Sequence, residues 1–310
     1  MEAVRFENVT KIFKSGLMGK SVVALRDLSF QICEGENLAI MGPSPSGKTT
    51  LLKLTAGIYM PDKGEIKVYG KSVKKNLNDI RRYTYYISQQ MQLNKKLTIW
   101  EEIAYFQRIF NEKMSEECIK LLEASGIGKE DYDNRIETIS ETQSTVLKLV
   151  LGLIKKPKIL LIDNVLGGLE QKIMDEVSMM LSSIKELTIM VVDKNVDVLN
   201  RLCGKILLLR DGTLIGIGSL REILLDYPYK YDVEVKWRKI IREEELINFG
   251  YPYQCLGEMT RFYLKNKLEV KDLSNKLLEN MENIISFQTS GIDMEDIYYW
   301  RINRGNEKNK

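Results

Sequence analysis

The chain has 310 residues, more than one average domain and enough for two. Its 46 lysine and arginine residues nearly balance 43 aspartate and glutamate residues, and the net charge of +3 gives no general signal for nucleic-acid binding. Histidine is absent, which excludes a mechanism that needs an imidazole, and no apolar run approaches the roughly 20 residues that span a bilayer. The N-terminal residues do not resemble a signal peptide, and the four scattered cysteines suit a reduced, cytosolic protein.

The most informative segment lies between a predicted strand at residues 36–41 and a predicted helix at residues 49–57. Residues 42–49 read Gly-Pro-Ser-Pro-Ser-Gly-Lys-Thr and match the spacing G-x-x-x-x-G-K-T. A loop of this kind presents free backbone N–H groups and the positive end of a helix dipole to a phosphate. The spacing therefore predicts that Lys48 reaches the β- and γ-phosphates of a nucleotide and that the Thr49 hydroxyl binds Mg²⁺.

The order of the remaining elements indicates an α/β protein with two domains. Residues 1–90 are strand-rich, residues 91–156 are predicted to be helical, and residues 158–163 and 188–192 are apolar strands typical of a buried parallel sheet. A hairpin is predicted at residues 206–212. A linker near residues 227–230 separates a domain at 1–226 from a domain at 227–310, for which we predict a βαβαβα unit.

The basic and aromatic cluster at residues 81–86 has two interpretations. Arg81, Arg82 and Tyr83 stand next to Tyr85 and Tyr86, a composition that also occurs on surfaces that stack on nucleic acid. We favour a solvated strand edge, because no wider basic stripe accompanies the cluster.

Over about residues 4–222 the chain resembles the ATP-binding subunits of ABC transporters, with the motifs of that family in the family's order. The resemblance implies an α/β P-loop NTPase fold of the ABC ATPase type, with a RecA-like core, a helical subdomain at about residues 91–156 and a small C-terminal α+β domain. Residues 291–298 also resemble the C-terminal end of exporter-type members with an appended regulatory domain. The matching segments are residues 10–13 (A-loop), 42–49 (Walker A), 86–89 (Q-loop), 139–143 (signature), 160–163 (Walker B) and 168–170 (D-loop).

The resemblance assigns a role to each matching position. Phe13 would stack on adenine, although without the resemblance the residue would be interpreted as a core aromatic. Asp163, Thr49 and Gln89 would bind Mg²⁺. Gln89 would also sense the membrane subunit. The signature residues would act in trans, on the nucleotide held by a second subunit. The remaining predicted nucleotide-binding residues are Gly42, Ser44, Pro45, Ser46, Gly47, Lys48, Thr49 and Thr50 in the cradle, and Ser140 and Gln143 in the signature.

Two departures from the family concern catalysis. Asn164 occupies the place of the glutamate that activates the attacking water, and an amide cannot accept a proton near neutral pH. The loss of a general base typically costs about 10²–10⁴ in rate. Lys194 occupies the switch-histidine position, where it can meet a γ-phosphate as a point charge but cannot act as a neutral imidazole.

Two further departures concern nucleotide contacts. Pro45 replaces a glycine of the cradle and removes one N–H donor. Glu141 and Thr142 replace the signature glycines, and the carboxylate would repel an opposing γ-phosphate by about 4 kcal/mol at ~4 Å and an effective dielectric of ~20. A homodimer would therefore have two impaired sites.

These features predict an exporter subunit that binds ATP and Mg²⁺ but hydrolyses ATP poorly. It would sit at the cytoplasmic face of the membrane, attached to a membrane-spanning subunit and to a second ATP-binding subunit, and would serve a peptide, antibiotic or lipid-like cargo. An active ATPase that tolerates these substitutions stays possible, as does a non-hydrolytic regulatory or immunity module that senses ATP. A nucleic-acid-associated ABC ATPase is disfavoured by the near-neutral charge and the single nucleotide-binding unit.

Overall fold

The computed structural model describes residues 1–14, 21–225, 227–239 and 241–292. Cα positions divide the chain into two compact units, Met1–Leu220 and Arg221–Lys310. In the described residues, no helix is long and apolar enough to cross a membrane.

The first unit alternates strands and helices. Its elements in chain order are β1 (Glu2–Lys14), β2 (Ser21–Cys33), β3 (Asn37–Met41), α1 (Lys48–Thr55), β4 (Lys63–Val68), β5 (Lys71–Ser72), α2 (Leu77–Tyr83), β6 (Thr84–Ser88), α3 (Ile99–Phe110), α4 (Glu116–Ala124), α5 (Glu141–Ile154), β7 (Ile159–Asp163), α6 (Gln171–Ser183), β8 (Thr188–Val192), α7 (Val196–Leu202), β9 (Lys205–Arg210) and β10 (Thr213–Ser219). Helix α8 (Leu220–Leu225) follows β10, and the division between the units falls after its first residue.

The central sheet of the first unit has six strands in the order β10-β9-β3-β8-β7-β6. β9, β3, β8, β7 and β6 are parallel, and β10 forms an antiparallel hairpin with β9. Strands β3, β7 and β8 are almost wholly buried, which explains their continuous apolar sequences. Because the strands are parallel, their carboxyl ends and the loops that follow them meet at one edge of the sheet.

A second, antiparallel sheet has the order β2-β1-β4-β5. Its apolar side chains share one core with helix α1 and the central sheet, and Phe6 stacks on Phe30 with ring centroids 4.6 Å apart. This shared core fixes the start of α1, and with it the loop at residues 42–47, against the central sheet.

Helices α3, α4 and α5 all lie within the segment predicted to be helical. Thr98 caps α3 and Ser140 caps α5, each through a reciprocal capping box with the residue three positions later. The predicted strand edge is correct for Tyr85 and Tyr86, which lie in β6 at the end of the central sheet. It was wrong for Arg81-Arg82-Tyr83, because these residues form the last turn of α2. Two arginines at a helix C-terminus complement the helix dipole, and Ile80 anchors the helix in the core.

The second unit has the order β11 (Tyr231–Trp237), α9 (Glu243–Ile247), β12 (Tyr253–Leu256), β13 (Met259–Leu264), α10 (Lys267–Glu279) and β14 (Ile284–Gly291). Its antiparallel sheet has the order β12-β13-β11-β14, the arrangement of a ferredoxin-like βαββαβ unit. The predicted βαβαβα order was wrong, because Gly257 at φ 68° turns the chain directly from β12 into β13. In the terminal segment that resembles exporter-type members, residues 293–298 lie outside the described residues.

Candidate functional site

The loop after β3 wraps around the side chain of Lys48. The Lys48 Nζ donates to the main-chain oxygens of Gly42 (2.6 Å) and Pro43 (2.9 Å) and to Ser46 Oγ (3.3 Å). Burial lowers the pKa of Lys48, and the nearby charge of Asp163 partly offsets that effect. The ammonium group is thus held inside the loop, where phosphate oxygens could replace its backbone acceptors.

Two glycines of the loop leave no room for a side chain. A Cβ at Gly42 would lie 2.3 Å from the Leu209 oxygen, and one at Gly47 would lie 2.4 Å from the Ala24 oxygen. Gly47 also has φ 98° and is the N-cap of α1 without any side-chain cap, so the first N–H groups of that helix are left for a ligand. Ser44 and Pro45 form the exposed tip of the loop, and the first turn of α1 carries Thr49 and Thr50.

A compact hydrogen-bonded cluster surrounds Asp163 at the carboxyl end of β7. Asp163 is 5% exposed, and its Oδ1 accepts from Thr49 Oγ1 (3.1 Å) and from Asn164 Nδ2 (3.0 Å). Its Oδ2 accepts from the hydroxyl of Tyr86 (2.7 Å), and burial together with this bond raises the pKa of Tyr86. The structure therefore brings together Thr49 and Asp163, as predicted for the metal site.

The donor set around Asp163 suits a Mg²⁺ ion that shares its ligands with a nucleotide. Thr49 and Asp163 offer a hydroxyl and a carboxylate oxygen, the hard ligands that Mg²⁺ prefers, and water and phosphate oxygens commonly complete its octahedron. In the described residues, no group of three or more acidic, cysteine or histidine side chains could hold a metal ion alone. The hydroxyl of Thr49 and the carboxylate of Asp163 thus fit a Mg²⁺ ion whose other ligands are water and phosphate oxygens.

Loops from three neighbouring strands form a small cavity of about 180 Å³ at this edge of the sheet, which we call the edge cavity. It brings together Gln89 after β6, Asn164 after β7 and Lys194 after β8, since Ser88 pairs with Asp163 and Asp163 with Val192. The three positions predicted to be catalytic thus meet. The residues that line the edge cavity are Gln89, Asn164, Gly167, Gly168, Asp193, Lys194 and Asn195.

Asn164 is held firmly in this cavity. Its backbone N–H donates to the Val192 oxygen (2.7 Å), and its φ of 54° lies in the left-handed region that asparagine tolerates better than most residues. Its amide nitrogen is turned toward Asp163. An amide in this position can orient a water molecule, but it has no basic group to take up a proton.

The predicted adenine and signature positions lie on other elements. Phe13, near the end of β1, is half-buried and meets Tyr59 edge-on with ring centroids 5.2 Å apart. At the start of α5, Ser140 N donates to Gln143 Oε1 (2.9 Å), and Gln143 Nε2 donates to the Gly126 oxygen (2.9 Å). Glu141 is exposed in the first turn of α5, where the helix dipole favours an acid. The roles of Phe13, Ser140 and Gln143 stay predictions.

Sequence reasoning missed two residues of the site. Tyr86 was assigned to the Q-loop segment and to the aromatic cluster at residues 81–86, although its place two residues before Ser88 in a parallel strand puts it beside β7. Asp193 received no role, yet its carboxylate accepts from the backbone N–H groups of Leu166 (3.2 Å), Gly167 (3.0 Å) and Asn195 (3.0 Å). The position of Asp193 between a buried strand and a helix N-terminus is the sequence signal that could have identified it as a site residue.

Comparisons with known proteins find relatives among the ATP-binding proteins of transporters. A sequence model of the family described as "ABC transporter" matches residues 25–167. The chain is 30% identical to the energy-coupling factor transporter ATP-binding protein of Caldanaerobacter subterraneus, over 71% of this chain and 80% of that protein. It is 26% identical to a spermidine/putrescine import ATP-binding protein of Acetivibrio thermocellus, over 96% of this chain and 85% of that protein. A solved dimeric ATP-binding cassette in a post-hydrolysis state, bound to ADP and Pi, aligns with a TM-score of 0.61 and 26% identity, over 70% of this chain and 99% of that one.

Proposed function

Because the chain belongs to the family of ABC transporter ATP-binding proteins, we propose that it is a transporter subunit that binds ATP tightly enough to close a dimer but hydrolyses it slowly. The fold is that of an ABC ATPase. The observation that carries the proposal is the edge cavity, where an amide and an ammonium group, Asn164 and Lys194, stand at the positions of the family's glutamate and histidine.

Nucleotide binding is supported by the geometry of the Walker A loop. Lys48 and the free N–H groups at the start of α1 would hold the phosphates, and Phe13 would hold adenine. Thr49, Gln89 and Asp163 would hold Mg²⁺, which when bound would neutralise phosphate charge. The one N–H lost at Pro45 leaves the other donors of the loop in place.

Slow hydrolysis follows from the groups around Asn164. Asn164 cannot remove a proton from water. The carboxylate of Asp193, which also lines the edge cavity, already accepts from three backbone N–H groups. Without a general base the rate should fall by about 10²–10⁴, which leaves binding as the main activity of this subunit.

The proposed partners are a second ATP-binding subunit and a membrane-spanning subunit, at the cytoplasmic face of the membrane. Ser140 and Gln143 would close on the nucleotide of the second subunit, with the Glu141 charge opposing that closure. For the membrane subunit, helix α3 directly follows the Q-loop and exposes Trp100 (46%) and Tyr105 (57%), two aromatic side chains of the kind enriched at interfaces.

The proposed direction of transport is export of a peptide, antibiotic or lipid-like cargo, supported by the likeness of residues 291–298 to exporter-type members. Import is a second candidate, favoured by the similarity to a polyamine import protein. Membrane vesicles of the two orientations, each containing the complete transporter, distinguish the two. Accumulation of labelled peptide in inverted vesicles on addition of ATP supports export, and uptake of labelled spermidine into right-side-out vesicles loaded with ATP supports import.

Equilibrium binding of a fluorescent ATP analogue tests the first part of the proposal. We expect saturable binding that weakens by about tenfold or more in Lys48→Ala, because charge-assisted bonds to phosphate are lost. The exposed Lys120→Ala on α4 is the control. Binding that is equal in both variants would contradict the proposed site, and binding without stimulation of any membrane complex would favour the regulatory module.

A further inference from the structure

The carboxylate of Asp193 joins two loops that border the edge cavity. Asp193 follows β8 and immediately precedes Lys194, whereas the loop at residues 164–168, the post-β7 loop, carries Asn164 at its start. Asp193 Oδ2 accepts from the N–H groups of Leu166 (3.2 Å) and Gly167 (3.0 Å), so one oxygen holds two consecutive amides of the post-β7 loop. Hydrogen bonds to an ionised acceptor are about twice as strong as neutral ones.

The post-β7 loop is shaped to admit this carboxylate. A Cβ at Gly167 would lie 2.4 Å from Asp193 Oδ1, so the side chain of Asp193 occupies the space that a larger residue at 167 would need. The neighbouring Leu166 side chain is fully buried, so it anchors the loop to the interior of the first unit. Gly167 and Gly168 are exposed, so the tip of the loop has few other contacts to hold it.

The hydrogen bonds from the post-β7 loop to Asp193 Oδ2 differ from the local hydrogen bonds of an ordinary turn. Asp193 Oδ1 accepts from Asn195 N (3.0 Å), a local bond of the kind that aspartate makes at many helix starts. Asn195 makes the next such bond, to Asp197 N (2.9 Å), and caps α7. The bonds from Asp193 Oδ2 to the post-β7 loop span 26 and 27 residues and serve no helix.

We propose that Asp193 is a positioning residue that locks the post-β7 loop to the segment bearing Lys194, and so fixes Lys194 and Asn164 on the two sides of the edge cavity before ATP arrives. The inference rests on the proposed function for the identity of the ligand, since Lys194 is the cation expected to meet the γ-phosphate. A fixed ammonium group favours ATP over ADP, because only ATP has that phosphate, and a group already in place loses less freedom on binding.

Hydrogen–deuterium exchange on the nucleotide-free chain tests the lock itself. In Asp193→Ala we expect the amides of Leu166 and Gly167 to exchange about tenfold faster or more, because they lose their acceptor. Asn195→Ala is the matched control, since it removes a cap on the same turn but keeps the Asn195 Cβ near Gly167 and both bonds from the post-β7 loop to Asp193. Unchanged exchange in Asp193→Ala, or the same acceleration in Asn195→Ala, overturns the proposal.

The ratio of ATP affinity to ADP affinity tests the positioning role, and a general loss of folding would not move that ratio. We expect it to fall about threefold to tenfold in Asp193→Ala and to be largely rescued in Asp193→Asn, which keeps an acceptor oxygen. An unchanged ratio in Asp193→Ala, or a ratio in Asp193→Asn that equals that of Asp193→Ala, overturns positioning. Failure of the unaltered chain to bind either nucleotide would instead overturn the proposed function, and the exchange result would still decide whether the lock exists.

Discussion

At the scale of single residues, the site depends on a carboxylate that accepts several hydrogen bonds. The Asp163 carboxylate accepts from Thr49, Asn164 and Tyr86, and it is almost completely buried. A buried charge is tolerated only when its oxygens are satisfied. Together the three donors satisfy both oxygens of the Asp163 carboxylate and fix its orientation.

The first prediction concerns Tyr86. Tyr86→Phe should lower the free energy of unfolding by about 1–3 kcal/mol, because the change leaves a buried carboxylate oxygen without its donor. Urea denaturation measures the effect. Tyr105→Phe removes an equivalent hydroxyl from an exposed ring on α3 and should change stability little. Equal effects of the two variants would show that the bond to Asp163 contributes nothing.

The second prediction concerns Lys155, at the end of α5. Its Nζ donates to the main-chain oxygens of Arg81 and Thr84 and lies 5.7 Å from the centre of the Tyr85 ring. Burial lowers the pKa of Lys155 to about 8, against an ordinary value of 10.5. Below pH 8 both folded and unfolded chains hold the proton, and the cost of burying the charge is present in full. Between the two values the unfolded chain binds more protons, so the contribution of Lys155 to the free energy of unfolding becomes more favourable as pH rises.

The measurement for Lys155 is urea denaturation at pH 7 and pH 9.5. The unaltered chain should gain stability over this interval relative to Lys155→Met, which cannot titrate and keeps the apolar stem. The comparison isolates Lys155 from other groups with shifted pKa values, since both chains share them. An identical pH dependence in the two chains would contradict the assignment.

At the scale of elements, the sequence predicted what local chemistry decides and failed where tertiary pairing decides. The strand at β7 could be predicted because an apolar run ending in an acid, Asp163, suits a buried parallel strand. The hairpin of β9 and β10 followed from Asp211-Gly212. The position of Tyr86 beside Asp163 could not be predicted, because it depends on which strand becomes the neighbour of β7 and in which register.

In the second unit, too, the prediction from sequence failed where strand pairing decides the structure. The predicted βαβαβα order requires a helix between the second and third strands, whereas residues 253–264 form two strands joined at a single glycine. Gly257 has φ 68° in a two-residue loop, since Leu256 pairs with Met259 across the turn. A helix between β12 and β13 is thereby excluded, and the sheet becomes fully antiparallel.

The third prediction follows for this turn. Gly257→Ala should destabilise the second unit by about 1 kcal/mol, because alanine is strained at positive φ. No heavy atom lies within 4 Å of a Cβ at Gly257, so the effect is one of backbone conformation alone. Gly291→Ala is the control, since a Cβ there also meets nothing and φ is not in the left-handed region. Hydrogen exchange of the β13 amides measures the difference, and equal protection in both variants would contradict this reading.

At the scale of the whole molecule, we propose that this chain binds ATP and that a partner subunit hydrolyses ATP. Lys48 is held inside the loop after β3, and Thr49 lies beside Asp163, in the arrangement that we propose for binding phosphate and Mg²⁺. We propose that Asn164 and Lys194, which line the edge cavity, replace the groups that would turn water into a nucleophile. A subunit that keeps the phosphate-binding groups but lacks the water-activating groups is suited to hold ATP while a complete partner subunit hydrolyses ATP.

The most direct test of ATP binding without hydrolysis is Mg-ATP turnover by the purified chain alone, with Asp163→Ala prepared in parallel to reveal contaminating ATPases. We expect ATP binding with a hydrolysis rate no higher than that of Asp163→Ala, and turnover only when a complete partner ATPase is added. Turnover by the unaltered chain that disappears in Asp163→Ala would contradict this expectation, because another group would then be activating the water that Asn164 cannot.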